Sequence, residues 1–144
     1  MLIGKKGYYY IKTILLFASS RSGSLSIKDV SQRLDISEKV MEQVLLGLKK
    51  AGYLKSKRGP RGGYRLSGDV GNETVLAILE KTNQKLEVMS ADTEGSGNPI
   101  DIVLSDVMRS VHKKICGSLL CISVKDLKSR LNEEISRNEF NYII

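Results

Sequence analysis

The fold of this chain is decided by the stretch from Ser26 to Leu66, which reads SIKDVSQRLDISEKVMEQVLLGLKKAGYLKSKRGPRGGYRL. Ser26 is followed three residues later by an aspartate, which is the capping-box pattern that starts a helix, and this helix is predicted to end near Leu34. After a tight turn, Ser37 is placed to cap a second helix that runs to about Ala51. The stretch therefore predicts two short helices joined by a turn.

The second of these helices has two different faces. Its apolar residues recur at spacings of three and one, which places them on the side that packs against the core. These residues are Met41, Val44, Leu45 and Leu48. The other face presents long polar side chains near the start of the helix, as suits a helix that enters the major groove of DNA. The residues of this outer face are Lys39, Glu42, Gln43, Leu46 and Lys50.

A basic, glycine-rich hairpin follows this helix. Gly52 lies where a left-handed C-cap is needed, and two short strands are predicted over residues 54–58 and 64–67, around the sequence GPRGG. Arg58, Arg61 and Arg65 lie in or beside this loop, and three guanidinium groups suit phosphate or a narrow minor groove. A solvated helix face followed by a plain hairpin is the alternative interpretation. The succession of two capped helices, a short turn and a basic hairpin favours DNA binding.

The charge of the chain is unevenly distributed. Residues 1–67 contain 14 Lys and Arg against 4 Asp and Glu, a net charge of +10, whereas residues 68–144 contain 9 against 12, a net charge of −3. A basic half is the electrostatic signature of a nucleic-acid binder, so the other half is expected to serve dimerisation and sensing. Two cysteines without a visible secretory signal, and no apolar run of ~20 residues, predict a cytoplasmic protein that does not enter a membrane.

The residues from Asp35 to Leu66 resemble the Rrf-two (Rrf2) family of bacterial winged-helix regulators, which includes the IscR, NsrR and CymR types. The match runs from Lys6-Gly7 through Leu66, and then more weakly through the helix at Asp101 and residues 122–127. The resemblance implies a homodimeric transcription factor, usually a repressor. In that family the positions that match Lys39, Glu42 and Gln43 contact bases, and the position that matches Arg58 enters the minor groove. Val40 replaces a usual aromatic residue, and Arg61 replaces a wing glycine. The predicted DNA-binding residues are Ser37, Lys39, Glu42, Gln43, Lys50, Arg58, Arg61 and Arg65.

A long helix is predicted from Ile100 to about Leu120. Its apolar residues keep spacings of three and four over several turns, and a lone amphipathic helix of this kind needs a partner surface. The family places its dimer interface here; packing only on its own domain is the alternative. The predicted interface residues are Val103, Val107, Met108, Val111 and Ile115.

The predicted fold class is mainly α with a small β wing, a winged helix-turn-helix with a long C-terminal dimerisation helix. A further short helix, capped by Thr74, is predicted to close the winged-helix unit. We expect a DNA-binding domain over residues 1–82, a flexible loop over 83–99, and a dimerisation helix with a tail over 100–144.

No cofactor or metal site is predicted. Cluster-binding members of the family have three cysteines in the segment that matches Thr82 to Pro99, where this chain has neither Cys nor His, and Ile102 and Ser105 stand at the last ligand positions. Cys116 and Cys121 could form a redox pair or part of a metal site, but packing is favoured, because a spacing of five points two helical side chains about 140° apart.

The last residues, RNEFNYII, form an apolar tail after a final helix that is predicted to end near Asn132. CymR-type members end similarly, and there the tail resembles the end of serine acetyltransferase, which docks into cysteine synthase. The resemblance implies that Tyr142, Ile143 and Ile144 bind such an enzyme, while packing on the protein's own dimer is the alternative.

Three functions follow from these patterns, and none is catalytic. The first is a dimeric, double-stranded DNA-binding repressor, linked through the CymR resemblance to cysteine or sulfur metabolism. The second is a redox or metal-sensing regulator that uses Cys116 and Cys121, and the third is an interaction module that acts through its tail. A single His and the lack of a phosphate-cradling loop at a helix start disfavour an enzyme.

Overall fold

The computed structural model describes residues 3–86 and 97–143, the last four of them as backbone only. The chain forms six helices and one small sheet within these ranges. The elements in chain order are α1 (Lys5–Ser19), α2 (Ile27–Leu34), α3 (Glu38–Lys50), β1 (Leu54–Lys57), β2 (Gly63–Leu66), α4 (Val75–Lys81), α5 (Pro99–Leu120) and α6 (Val124–Ile143). The structure confirms the predicted fold class, a mainly helical chain with a small two-stranded wing.

The starts of α2 and α3 are made by short-range hydrogen bonds. The Ser26 hydroxyl accepts from the backbone N–H of Asp29, 3.1 Å away, and the Asp29 carboxylate accepts from the backbone N–H of Ser26, at 3.0 Å. Asp35 ends α2 in the left-handed region, at φ 53°. Ser37 then caps α3 by accepting from the backbone N–H of Val40. The predicted pair of capped helices and the turn between them are therefore confirmed.

The core lies where α1 crosses α2 and α3. Ile14 of α1 is completely buried, and the four apolar residues predicted for the inner face of α3 are all buried with it. Tyr10 packs over Gly47 of α3, where a Cβ atom would overlap the tyrosine ring and hydroxyl. A glycine at this position therefore lets α1 and α3 approach closely.

The wing is a two-stranded antiparallel sheet in which Leu54 pairs with Leu66 and Lys57 pairs with Gly63. Leu25 adds a single bridge to this sheet, because its backbone exchanges hydrogen bonds of 2.9 and 2.8 Å with Tyr64. A Cβ atom at Gly63 would collide with the carbonyl group of Leu25, so this edge requires glycine. The segment before α2 is thus joined to the edge of the wing sheet.

After α5 the chain returns to the winged-helix body, which is formed by α1 to α4 and the wing. The backbone N–H of Val75 donates to the Ile122 carbonyl and that of Val124 donates to the Glu73 carbonyl, both at 2.9 Å. Val124 is buried among the core residues of the body, and α6 then packs along α1. The first turn of α6 is thus part of the folded body, whereas its second half extends beyond it.

Two predicted helix ends are wrong. The final helix continues past Asn132 to Ile143, since no proline or glycine interrupts the residues between them. Pro99 is not outside α5 but is its first residue, capped by the Asn98 side chain, which accepts from the backbone N–H of Ile100 at 3.0 Å. The predicted loop over 83–99 falls mostly on residues 87–96, which lie outside the described residues.

No described helix is both long enough and apolar enough to cross a membrane.

Candidate nucleic-acid interface

The outer face of α3 is open to solvent along its whole length. The polar side chains predicted to contact DNA from this helix are all exposed, and so are two apolar ones, Val40 and Leu46. The capping residue Ser37 is also exposed, at the point where the helix starts. The structure therefore places Ser37, Lys39, Glu42, Gln43 and Lys50 on one solvent-facing side of a helix that is anchored by its buried face.

The tip of the wing depends on two glycines. Gly59 has a φ of 116°, and its carbonyl accepts the backbone N–H of Gly62 at 2.8 Å, which closes the turn. A side chain at Gly62 would collide with the carbonyl oxygens of Lys57 and Gly59. This turn holds Arg58 and Arg61, both exposed, at the end of the hairpin.

The outer face of the wing sheet is more basic than the sequence analysis recognised. Arg65 pairs directly with Lys55 across the sheet, and Lys57 lies on the same face because side chains alternate along a strand. Like charges directly opposite each other are destabilising, and an anion on this face would reduce their repulsion. The alternation of lysines in KSKR carries this signal, but only the strand register shows that Arg65 joins them.

None of these cations forms an ion pair with a described residue. Among the described residues the ion pairs are those of Lys81 with Glu73, Arg109 with Asp106 and Arg137 with Glu134. The exposed cations of α3 and the wing therefore form a positive surface without ion-pair partners among the described residues. Its members are Lys39, Lys50, Lys55, Lys57, Arg58, Arg61 and Arg65.

The wing is held to α3 and α4 by side-chain hydrogen bonds. Lys49 at the end of α3 donates to the Ser56 hydroxyl in β1 at 2.7 Å. Tyr53, just before β1, donates to the Glu73 carboxylate at 2.8 Å, and Lys81 of α4 donates to the same carboxylate at 3.0 Å. Burial raises the pKa of the Tyr53 hydroxyl, and the hydrogen bonds from Lys81 and Tyr53 lower the pKa of Glu73. This network fixes the wing relative to the helix that precedes it.

The predicted dimer helix has an exposed apolar face. No residue of α5 is buried, and Val103, Val107 and Val111 are 62%, 50% and 39% exposed. Ile100 and Leu104 extend the same stripe. The other two predicted interface residues, Met108 and Ile115, are half-buried within the chain itself. Of the five predicted interface residues, the three valines are therefore exposed to solvent, and Met108 and Ile115 are partly covered by the chain itself.

The two cysteines are not packed alike. Cys121 is exposed at the end of α5, so it does not pack within its own chain. Cys116 is half-buried, and its Sγ lies 3.5 Å from Nε2 of His112, one helical turn earlier. A spacing of four residues places these two side chains on the same side of the helix.

Comparison with known proteins identifies the kind of molecule that carries this surface. The model of the Rrf2 family, described as "Iron-dependent Transcriptional regulator", matches residues 3–130. The chain belongs to this family. The HTH-type transcriptional regulator IscR of Klebsiella pneumoniae is 29% identical over 137 residues, which cover 94% of this chain and 83% of IscR. The Rrf2 chain is therefore a DNA-binding transcription regulator, and its relatives are regulators, not enzymes.

Solved structures agree with this assignment. CymR of B. subtilis, named as the global cysteine regulator, superposes with a TM-score of 0.68 at 26% identity, covering 90% of this chain and 98% of CymR. IscR of T. potens superposes with a TM-score of 0.73 at 26% identity, covering 93% of this chain and 90% of that protein. The winged-helix fold of this Rrf2 regulator is shared with both.

The residues of this chain do not fit an iron–sulfur cluster of the usual type. Such clusters are held mainly by cysteine thiolates, usually four, whereas the chain contains two cysteines and one histidine in total. In the part of the chain that the structure describes, no three metal-ligating side chains come together. The pair of Cys116 and His112 could supply at most two ligands.

The predicted partner-binding residues are Tyr142, Ile143 and Ile144 at the C-terminus. Ile144 lies outside the described residues, and only the backbone of Tyr142 and Ile143 is described, in the last turn of α6.

Proposed function

We propose that this Rrf2 regulator binds DNA as a homodimer and acts as a cytoplasmic transcriptional repressor without an iron–sulfur cluster. The observation that carries the proposal is the positive surface of α3 and the wing, whose cations form no ion pair among the described residues. An unneutralised surface of this kind is suited to a phosphate backbone. Repression would follow if the protein occupies a promoter and excludes polymerase.

In this proposal α3 reads bases in the major groove. Lys39 suits guanine, Gln43 suits adenine, and the Glu42 carboxylate can accept from the amino group of cytosine. Arg58 at the wing tip would enter the minor groove, while Arg61 and Arg65 would contact phosphates. Base contacts give sequence preference and phosphate contacts give affinity, so the two groups should respond differently to substitution.

The exposed stripe of α5 supports the dimer. A stripe of valines and leucines that faces water is unfavourable, and a second copy of the same helix would cover it. A two-fold dimer would space two copies of α3 by about one turn of DNA. We therefore propose a DNA-binding domain over residues 1–82, a connecting segment over 83–98 and a dimerisation region that begins with α5 at Pro99.

The experiment that tests DNA binding separates base readers from phosphate contacts. The operator is first selected from a pool of random duplexes, and the dissociation constants for operator and scrambled duplex are then measured by fluorescence anisotropy. Gln43→Ala should weaken operator binding by about 1–3 kcal/mol and spare scrambled DNA. Lys50→Ala should weaken both duplexes equally, and Lys128→Ala on the exposed side of α6 serves as the charge-matched control. Equal losses on both duplexes for Gln43→Ala would contradict the assignment of base readers.

The regulated genes are proposed to belong to sulfur metabolism. The likeness to CymR, over 90% of this chain, supports this choice. Binding sites across the genome, mapped with and without added cysteine, should lie at sulfur-metabolism promoters. Sites at iron–sulfur assembly promoters would contradict it and favour a sensor that uses Cys116 and Cys121.

A contact between the C-terminus and a cysteine synthase-like enzyme is a second proposal, based on the same likeness to CymR. Because the backbone of α6 is helical to Ile143, docking as an extended peptide would require its last turn to unwind. Deleting Ile144 should then weaken the complex more than tenfold in a titration with the enzyme, since burying one large aliphatic side chain contributes about 1.5–3 kcal/mol. Equal binding with and without Ile144 would favour packing of the tail on its own dimer.

A further inference from the structure

An open groove of about 570 Å³ lies beside the DNA-reading face, between the start of α1, the second half of α3 and the end of α4. Lys6, Tyr10, Gln43, Lys50 and Gln84 line it with ammonium, hydroxyl and amide groups. No aspartate or glutamate is among the described residues that line the groove. A recess that contains hydrogen-bond donors and positive charge without a carboxylate is suited to an anion.

Tyr10 places its hydroxyl at the floor of this groove. Its side chain is only 3% exposed, and its hydroxyl lies against Gly47, which also lines the groove. Within the described ranges no residue forms a hydrogen bond with this hydroxyl. A hydroxyl that opens onto the groove without a partner in the protein is available to donate to a ligand bound there.

Lys6 and Lys50 supply the positive charge of the groove. The Lys6 ammonium lies 5.9 Å from the centroid of the Tyr10 ring, which places it over the groove floor, and Lys50 lies on the α3 side. Lys81 also lines the groove, but its ammonium is 3.0 Å from the Glu73 carboxylate and is partly neutralised. Lys6 and Lys50 are therefore the cations available to a bound anion.

We infer that this groove binds a backbone phosphate of DNA at the flank of the reading helix, with Tyr10 and Lys6 as its specific contacts. The inference rests on the proposed function, because it requires α3 to lie in the major groove. The major groove of DNA is about 12 Å wide and an α-helix nearly fills it, so the DNA phosphates pass close to both flanks of the helix. The wing faces one flank of α3, and the groove formed with α1 and α4 faces the other.

The test uses two pairs of neighbouring residues. Lys6→Gln is compared with Lys5→Gln, since both lysines are exposed in the first turn of α1 and only Lys6 lines the groove. Tyr10→Phe is compared with Tyr8→Phe, which removes the same hydroxyl from an exposed ring. Each full-length variant is first checked for unchanged thermal unfolding. Its dissociation constant for a random-sequence 24-base-pair duplex is then measured at several salt concentrations.

The two groove variants should behave differently from each other and from their controls. Lys6→Gln should reduce the slope of log affinity against log salt by roughly 2 for a dimer, because each neutralised phosphate contributes about 0.9. Tyr10→Phe should weaken binding about tenfold without changing this slope, because it removes a hydrogen-bond donor and no charge. The Lys5 and Tyr8 variants should match the unmodified protein.

Three results would overturn the inference, and they can be told apart. If the unmodified protein does not bind duplex DNA, the proposed function fails together with the groove. If it binds DNA but the groove variants match their controls, only the groove assignment is wrong. If inorganic phosphate or pyrophosphate raises the melting temperature of the unmodified protein but not of Tyr10→Phe, while both bind DNA equally, the groove takes a free phosphate instead.

Discussion

The winged-helix body and the α5 helix differ in how much of their apolar surface is covered. Apart from Val124, every buried apolar residue of the described chain lies between Tyr10 and Leu79, in the body. Helix α5 is longer than any helix of the body and contains no buried residue. Its apolar side chains at Val103 and Val107 are as regularly spaced as those of α3, yet they face solvent.

The difference shows that an amphipathic pattern predicts which face of a helix is apolar, but not which surface covers that face. The inner face of α3 is covered by α1 and α2 of the same chain, whereas α5 contacts mainly α4 and leaves its stripe open. Periodicity is a property of one helix, while burial depends on which surfaces meet. The following predictions test whether the body is complete by itself and whether α5 needs a second copy.

The largest effect is expected from a charge in the middle of the α5 stripe. Val107→Glu would place an unpaired carboxylate in the proposed interface, which costs several kcal/mol and should raise the dimer dissociation constant at least a hundredfold. Sedimentation velocity measures the oligomeric state. Lys113→Glu is the control, because about 100° per residue places it on the opposite side of the helix. Equal dissociation by both variants, or by neither, would contradict the proposed interface.

Two helical glycines should respond with opposite signs. Gly47→Ala should destabilise the body by about 1–3 kcal/mol, because the new methyl group meets the Tyr10 ring in a packed site. Gly117→Ala on α5 has no atom within 4 Å of the added Cβ and should stabilise the helix by about 0.5–1 kcal/mol. Urea unfolding measures both. A stabilising Gly47→Ala would show that α1 and α3 are less tightly packed than the structure indicates.

A smaller effect is expected from Glu73, which connects the wing to α4. Its pKa is lowered in the folded state by hydrogen bonds from Lys81 and Tyr53. The charged carboxylate therefore stabilises the fold above the unfolded pKa of about 4.5, and this contribution is lost as the pH falls through the lower, folded pKa. Because the site is partly exposed, we expect at most about 1 kcal/mol.

Comparing variants isolates this contribution from that of other carboxyls, such as Asp29, whose pKa is also lowered by its capping hydrogen bonds. Thermal unfolding of Glu73→Gln should depend less on pH between about 5 and 3 than that of the unmodified protein. Glu80→Gln, at an exposed position of α4, should retain the unmodified pH dependence. Identical pH profiles for all three proteins would indicate that the Glu73 network does not stabilise the fold.

The smallest effect is expected from the cysteines of α5. Protein purified without oxygen should be colourless, and an iron chelator should leave its DNA affinity unchanged, since the chain lacks the thiolates for a cluster. Cys116→Ser and Cys121→Ser should each change DNA affinity less than twofold. Brown protein with near-stoichiometric iron would contradict this. It would point to the His112–Cys116 pair as iron ligands, with further ligands from a second subunit or from outside the protein.

Sequence reasoning succeeded where structure depends on near neighbours. The helix starts at Ser26, Ser37 and Thr74 were predicted because a capping side chain bonds to a backbone N–H only three residues away. It failed at the end of α6, where a polar composition after Asn132 suggested a stop although no helix-breaking residue is present. Composition is a weaker signal than a cap, since many polar residues are good helix formers.

The sequence by itself determined the two capped helices, the glycine-dependent turn of the wing, the basic half and the lack of cluster ligands. Tertiary structure alone placed Lys55 opposite Arg65, the Tyr10 hydroxyl over Gly47, and Lys6 beside Lys50 in one groove. The physical reason is the separation along the chain between the residues that interact. A cap or a turn depends on atoms within about four residues along the chain. The positive face and the groove instead depend on strand register and helix packing, which bring distant residues together.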